Sequence, residues 1–123
     1  MTYLLIGIGG FLGCNARYLL GGWIAGRYGT SFPYGTMAIN VSGSFVIGFF
    51  LVLISERFIV HPNWRLFFAI GFLGGYTTFS TFSFESFSLI QNRSYVLALA
   101  NLVGSVVLGQ VGVLAGVILA RLL

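Results

Sequence analysis

Four long apolar stretches separated by short polar connectors divide this chain. The first runs from about Thr2 to Ala25, the second from Tyr34 to Glu56-Arg57, the third from Trp64 to about Ile90, and the fourth from Tyr95 onward. Each reaches the roughly 20 residues that cross a hydrocarbon core of about 30 Å at about 1.5 Å per residue. The pattern predicts an all-α integral membrane protein with four transmembrane helices. The connectors are Arg27–Pro33, Val60–Asn63 and Gln91–Ser94, and Asn63 and Ser94 stand where the caps of the third and fourth helices belong.

Glycine spacing adds packing information. Gly9 and Gly13, then Gly22 and Gly26, form small-xxx-small pairs in the first segment. Such pairs let a second helix approach closely. The run from Gly7 to Gly13 superficially suggests a dinucleotide loop, but no strand precedes it and position 12 is leucine. Packing is the better reading.

The stretch from Gly71 to Glu85 departs from lipid-facing helix. Gly71, Gly74 and Gly75 cluster, and hydroxyls then alternate with rings: Thr77, Thr78, Ser80, Thr81 and Ser83 against Phe79, Phe82 and Phe84. Glycine weakens a helix. Polar side chains and interrupted backbone persist at membrane depth only where protein or a water-filled cavity surrounds them. The third helix is therefore expected to be broken mid-membrane, restarting after Gly75 and lining a path for an ion or solute.

Composition agrees with a membrane setting. The chain is 58% hydrophobic and 7% charged, with a mean hydropathy of +1.00, against the quarter of charged residues, about 25%, usual in soluble domains. Residues 1–123 are expected to form a single transmembrane domain, multi-pass in the cell's inner (plasma) membrane. No charged n-region or cleavage site opens the chain, so the first segment is expected to be retained. The single cysteine, Cys14, excludes an intrachain disulfide and reads as a small core filler.

A pI near 9.7 raises nucleic-acid binding. The six basic residues are arginines scattered singly at positions 17, 27, 57, 65, 93 and 121, without the clustering a nucleic-acid footprint needs. They read as markers of helix ends. Arg57, Arg65 and Arg121 fall on one membrane side; Arg27 and Arg93, with Arg17 if it snorkels, fall on the other. Orientation follows arginine and lysine asymmetry in short loops, and here the asymmetry is close to nil. Insertion both ways, giving an antiparallel, dual-topology homodimer, is one reading; a single orientation fixed by later folding or partners is the other. Asn40, Asn101, Arg17 and Glu85 all need company away from lipid, which oligomerisation provides.

Catalysis is poorly served, and no enzyme is expected. The only acids are Glu56 and Glu85, and the only histidine is His61, in a connector. No cysteine–histidine spacing suits a metal, and an oxygen cage needs more carboxylates. Donors are more plentiful: the Asn40 amide, the hydroxyls of Ser80, Thr81 and Ser105, and the charge of Arg17. A restarting helix points a partly positive N-terminus inward, and phenylalanine rings offer positive edges. Phe79 and Phe82, three apart, share a helix face. Together these suit an anion better than a cation. Each has a plainer reading: rings that pack, hydroxyls bonded to their own i−4 carbonyl, an asparagine joining two helices, and Arg17 as an anchor with Glu85 as its ion-pair partner or a rim charge.

The run Gly74-Gly75-Tyr76-Thr77-Thr78-Phe79-Ser80-Thr81-Phe82-Ser83 resembles the GGxTTFSTFS signature of the Fluc (CrcB-type) fluoride channels. The likeness extends to Arg17, to the Gly35–Asn40 entry of the second segment, and to Glu85. The resemblance implies a fluoride-selective channel for passive fluoride export, built as a dual-topology homodimer with antiparallel pores. It implies a structural sodium ion at the dimer centre, held by backbone carbonyls at positions matching Gly74 and Thr77. It also implies a fluoride path using Asn40 as donor, Phe79 and Phe82 as edge-on contacts, and Ser80, Thr81 and Ser105 as a polar track. Arg17 and Glu85 would stand near the entrances. In the fourth segment the chain departs from the family's spaced hydroxyls, since Ser105 is followed one turn later by Gly109; Asn101 or water would stand in.

Two other functions compete. A small multidrug-type proton-coupled exporter also pairs four-helix subunits, yet it needs a carboxylate deep in a span. Segment one has none, and Glu85 is close to the end of segment three. A non-transporting membrane assembly subunit would give no ion flux in liposomes.

Overall fold

The computed structural model describes Met1–Leu123 and is entirely helical. Helix α1 spans Thr2–Tyr28 and closes on Gly29, whose N–H donates to the Ala25 carbonyl at 2.9 Å. Gly29 sits at φ 82°, a conformation open to glycine at no steric cost. Helix α2 spans Tyr34–Arg57, α-wound to Val52 and π-wound over Leu53–Arg57. The third span, Arg65–Gln91, holds two helical pieces. These are α3, residues 65–76, π-wound over Arg65–Leu73, and α4, Phe79–Gln91. Helix α5 spans Tyr95–Leu122. All four spans are long and apolar enough to cross a membrane.

Helix ends differ from expectation in two places. Asn63 is not the cap of the third span. His61 takes that role, its Nδ1 accepting the Asn63 N–H at 3.1 Å while its carbonyl accepts from Trp64. Pro62, lacking an N–H and with φ preset, suits the first helical position and moves the start upstream. Ser94 does occupy the cap position of α5, with its carbonyl accepting from Ala98 at 2.9 Å, but its side chain makes no capping bond.

Two backbone-to-backbone seams hold the bundle. In the first, α1 lies against α3: a methyl added at Gly9 or Gly13 would overlap the carbonyls of Phe67 and Phe72. From the other side, one added at Gly71 or Gly75 would come within 2.8 Å of the Ile6 or Gly10 carbonyl. In the second, α2 lies against α5, with Gly48 on Val113, Gly112 on Val41 and Gly116 on Phe45 and Phe49. The expected pair Gly22 and Gly26 makes no such seam; no atom lies within 4 Å of where their methyls would be. By then the third span has turned away at Thr77 and the neighbour of α1 is α2, which meets it at Gly21 through Gly35 and Ile39, so Gly22 and Gly26 lie off that contact.

The self-made core is thin. Only 18 of 123 residues are buried, among them Ile39, Ala69, Leu73, Phe82, Leu89, Ala98 and Ala120. Most large apolar side chains therefore face outward, as a chain bathed in lipid or covered by another copy requires. Cys14, expected in the core, is exposed. Its Sγ lies at the edge of the α3 contact, 3.1 Å from where a methyl on Gly75 would stand.

Candidate functional site

The glycines of the third span do not themselves interrupt it. Gly71, Gly74 and Gly75 are helical; Gly71 and Gly75 serve close packing against α1, while Gly74 faces open space. The residues that leave helical geometry are Thr77 (φ −88°, ψ 157°) and Thr78 (φ −151°, ψ 124°), so the helix restarts at Phe79 rather than just after Gly75. Two extended residues strand the peptide groups on either side.

Several of those groups are met by side chains from other helices. Asn40 on α2 donates through Nδ2 to the Thr78 carbonyl at 2.8 Å, and its Oδ1 accepts the Thr78 N–H at 2.8 Å. Arg17 on α1 donates through Nε to the Gly75 carbonyl at 3.1 Å. Thr78 Oγ1 accepts the Thr81 N–H at 3.3 Å and so caps α4. Thr77 binds back to the Leu73 carbonyl through both its N–H, at 3.0 Å, and its hydroxyl, at 2.9 Å. The carbonyls of Gly74 and Thr77 accept no hydrogen bond within the chain.

Beside this turn lies a groove of about 350 Å³ between α2, the third span and α5. It gathers six of the residues singled out in the sequence: Asn40, Gly74, Thr77, Phe79, Phe82 and Ser105. The rings of Phe79 and Phe82 are 5.8 Å apart and tilted by 51°. They share a face but not an environment, since Phe79 is 78% exposed and Phe82 only 7%. A second, larger cavity of about 920 Å³ gathers Arg17, Thr81 and Glu85, with Cys14 in its wall. Thr78 lines both spaces. Ser80 lines neither and is exposed.

Arg17 and Glu85 share a cavity without pairing. Glu85 Oε1 is buried without a hydrogen-bond partner. The ion pair in the structure joins Arg121 to Glu56 at 3.1 Å, and Arg57 donates to the Arg121 carbonyl, tying the ends of α2 and α5. This matches the shared side read for Arg57 and Arg121. Ser44 and Ser86 bind back to their own i−4 carbonyls. Tyr76 reaches Ser42 at 2.9 Å.

Thr78 was quoted in the sequence only as part of a motif, and it is the hinge of the site. Its signal was a hydroxyl residue immediately before a helical run. Ser86 and Asn101, bonded at 2.8 Å across α4 and α5, carried no joint signal, because their contact depends on helix rotation.

Four apolar spans, a turn clamped by partner side chains and a polar groove define a small multi-pass helical membrane protein. Residues 4–117 match the family model CrcB-like protein, Camphor Resistance (CrcB). A Solibacter usitatus protein named Fluoride-specific ion channel FluC is 51% identical over 121 residues, covering 98% of this chain and 99% of the relative. Proteins of the same name from Rhodospirillum rubrum and Sulfurihydrogenibium sp. are 49% and 44% identical over 118 and 121 residues. They cover 94% and 98% of this chain, and 92% and 98% of their own lengths. The chain belongs to the CrcB family.

Proposed function

We propose that this chain is a fluoride-specific ion channel that lets fluoride leave the cell passively and lowers its cytoplasmic level. Full-length identity to relatives bearing that name supports the activity. The observation that carries it to particular residues is the groove beside the Thr77–Thr78 turn, where two phenylalanine rings, an amide and a hydroxyl converge. A small anion gives up its water only where several donors replace it in a narrow space.

The working unit in this reading is an antiparallel, dual-topology homodimer whose third helix breaks at mid-membrane depth. Balanced arginines, a thin core and outward apolar faces support it. A structural sodium ion belongs to the same reading. The unpartnered carbonyls of Gly74 and Thr77 are hard oxygen donors on one turn, and Gly74 is exposed with open space where a side chain would stand. A second copy related by a twofold axis would bring its own pair. Sodium would supply fixed positive charge at the subunit contact; the chain's part is to hold two carbonyls free of hydrogen bonds.

Within one chain, Asn40 and Phe82 form the inner wall of the path, and Phe79 and Ser105 its flanks. Thr81 continues it into the larger cavity, where Arg17 and Glu85 hold charge at the mouth, and Ser80, exposed in a single chain, joins the path by its place in the signature. Purified protein in liposomes loaded with fluoride or chloride provides the test, using an ion electrode. Rapid electrogenic fluoride efflux with little chloride efflux is expected. Flux that requires a proton gradient, or none at all, overturns the channel reading.

A further inference from the structure

A chain of side-chain hydrogen bonds runs from the groove into the contact between α4 and α5. Ser105 Oγ donates to Asn101 Oδ1 at 3.2 Å, Asn101 Nδ2 donates to Ser86 Oγ at 2.8 Å, and Ser86 Oγ donates to the Phe82 carbonyl at 2.9 Å. Asn101 is 1% exposed and Ser86 2%. Only Ser105 among the three side chains lines the groove.

The direction of this chain is fixed from its buried end. A carbonyl only accepts, so the Ser86 proton points to Phe82. The Ser86 oxygen must then accept, which turns the NH₂ of Asn101 toward it. The amide oxygen of Asn101 is left facing Ser105, and the single Ser105 proton goes there. Ser105 thus offers the groove lone pairs, the wrong polarity for an anion. Turning the amide over lets Ser86 donate to Asn101 Oδ1 and Asn101 donate to Ser105, freeing the Ser105 proton for the groove. That reversal gives up one hydrogen bond, the one to Phe82.

We propose that Ser86 and Asn101 are positioning residues that hold the Ser105 hydroxyl turned away from the conducted anion, so that anion passage works against a relay anchored on the Phe82 carbonyl. The inference rests on the fluoride-channel reading and assigns to Ser105 a gated donor rather than a standing one. In Ser86→Ala the anchor is gone. An orphaned buried N–H is rarer than an under-satisfied carbonyl, so the Asn101 NH₂ turns to Ser105. In Asn101→Leu, of similar bulk, the relay is absent and Ser86 keeps its bond to Phe82. Either change releases the Ser105 proton.

The experiment measures fluoride flux per reconstituted channel, by single-channel recording or initial efflux normalised to the fraction of active liposomes. Proteins compared are wild type, S86A, N101L, S105A and the doubles S86A/S105A and N101L/S105A. One net hydrogen bond corresponds to about a fivefold change, so S86A and N101L should each conduct faster by about that factor. Neither should differ from S105A once Ser105 is alanine. Equal or slower conduction in both single variants, or a gain that survives in the S105A background, overturns the relay. Absence of fluoride flux in wild type overturns the channel reading instead, so the two failures are distinguishable.

Discussion

Asn40 spends its amide on the backbone of one residue: Nδ2 and Oδ1 each lie 2.8 Å from the carbonyl and the N–H of Thr78. The pair of bonds replaces, at an extended residue, the partners that a continuous helix would have given it. A role as a fluoride donor therefore falls to the one Nδ2 proton left over.

Replacing Asn40 with aspartate keeps the shape but loses the donor, and sets a carboxylate against the Thr78 carbonyl. Asn40→Asp should lower fluoride flux at least tenfold and cost about 1–3 kcal/mol, the range for a buried group left unpaired. Efflux and thermal unfolding in detergent measure the two effects. Full flux with an unchanged midpoint would remove Asn40 from both clamp and path.

Phe79 and Phe82 separate conduction from stability. Phe82 is 7% exposed and Phe79 78%. Phe82→Ile should reduce flux and destabilise by about 1 kcal/mol. Phe79→Ile should reduce flux with the dissociated chain's stability unchanged. Wild-type flux in both variants would place the path elsewhere.

The glycine seam predicts a contrast along α1. At Gly13 a methyl would overlap the Phe72 carbonyl, whereas at Gly22 nothing lies within 4 Å. Gly13→Ala should cost about 1–3 kcal/mol through overpacking. Within the chain, Gly22→Ala should be neutral or slightly stabilising. Comparable unfolding midpoints for the two variants would contradict the seam.

Arg17 reaches the Gly75 carbonyl, one residue before Tyr76 closes the helix. Hydrogen bonds to charged groups contribute about 1.5–3 kcal/mol, and Arg17→Leu should lose an amount in that range. Arg17→Lys should recover part of it, because ammonium lacks the fork of guanidinium. Measured stabilities of the two variants that do not differ would show that charge and geometry at this end are irrelevant.

Spans were legible because twenty-odd apolar residues in a row have few other uses. The second was bounded correctly from Tyr34 to Arg57, and the fourth began where expected, at Tyr95. The first ran on to Tyr28, since only Gly29 with its positive φ ends it. π-winding over Leu53–Arg57 and Arg65–Leu73 left no trace in residue types, because it changes the hydrogen-bond step and not the apolar pattern. In the signature stretch the polar run was readable, but its mechanics were not. Glycines there pack against α1, while two threonines with ordinary side chains take the extended backbone, held by Asn40 from 38 residues away in sequence. Asn40 to Thr78 and Asn101 to Ser86 are pairings between helices, and one chain's sequence carries no record of which faces meet.

Glycine contacts lock α1 to α3 and α2 to α5 main chain against main chain, with no flexible side chain between. Each couple therefore behaves as a stiff plank. The planks meet where Gly35 of α2 lies on Gly21 of α1, where Gly43 lies on Thr77, and where Asn40 binds Thr78, so each of these joints transmits movement of one plank to the other. The groove opens beside the last two of these joints, so its width is set by how the two planks sit against each other.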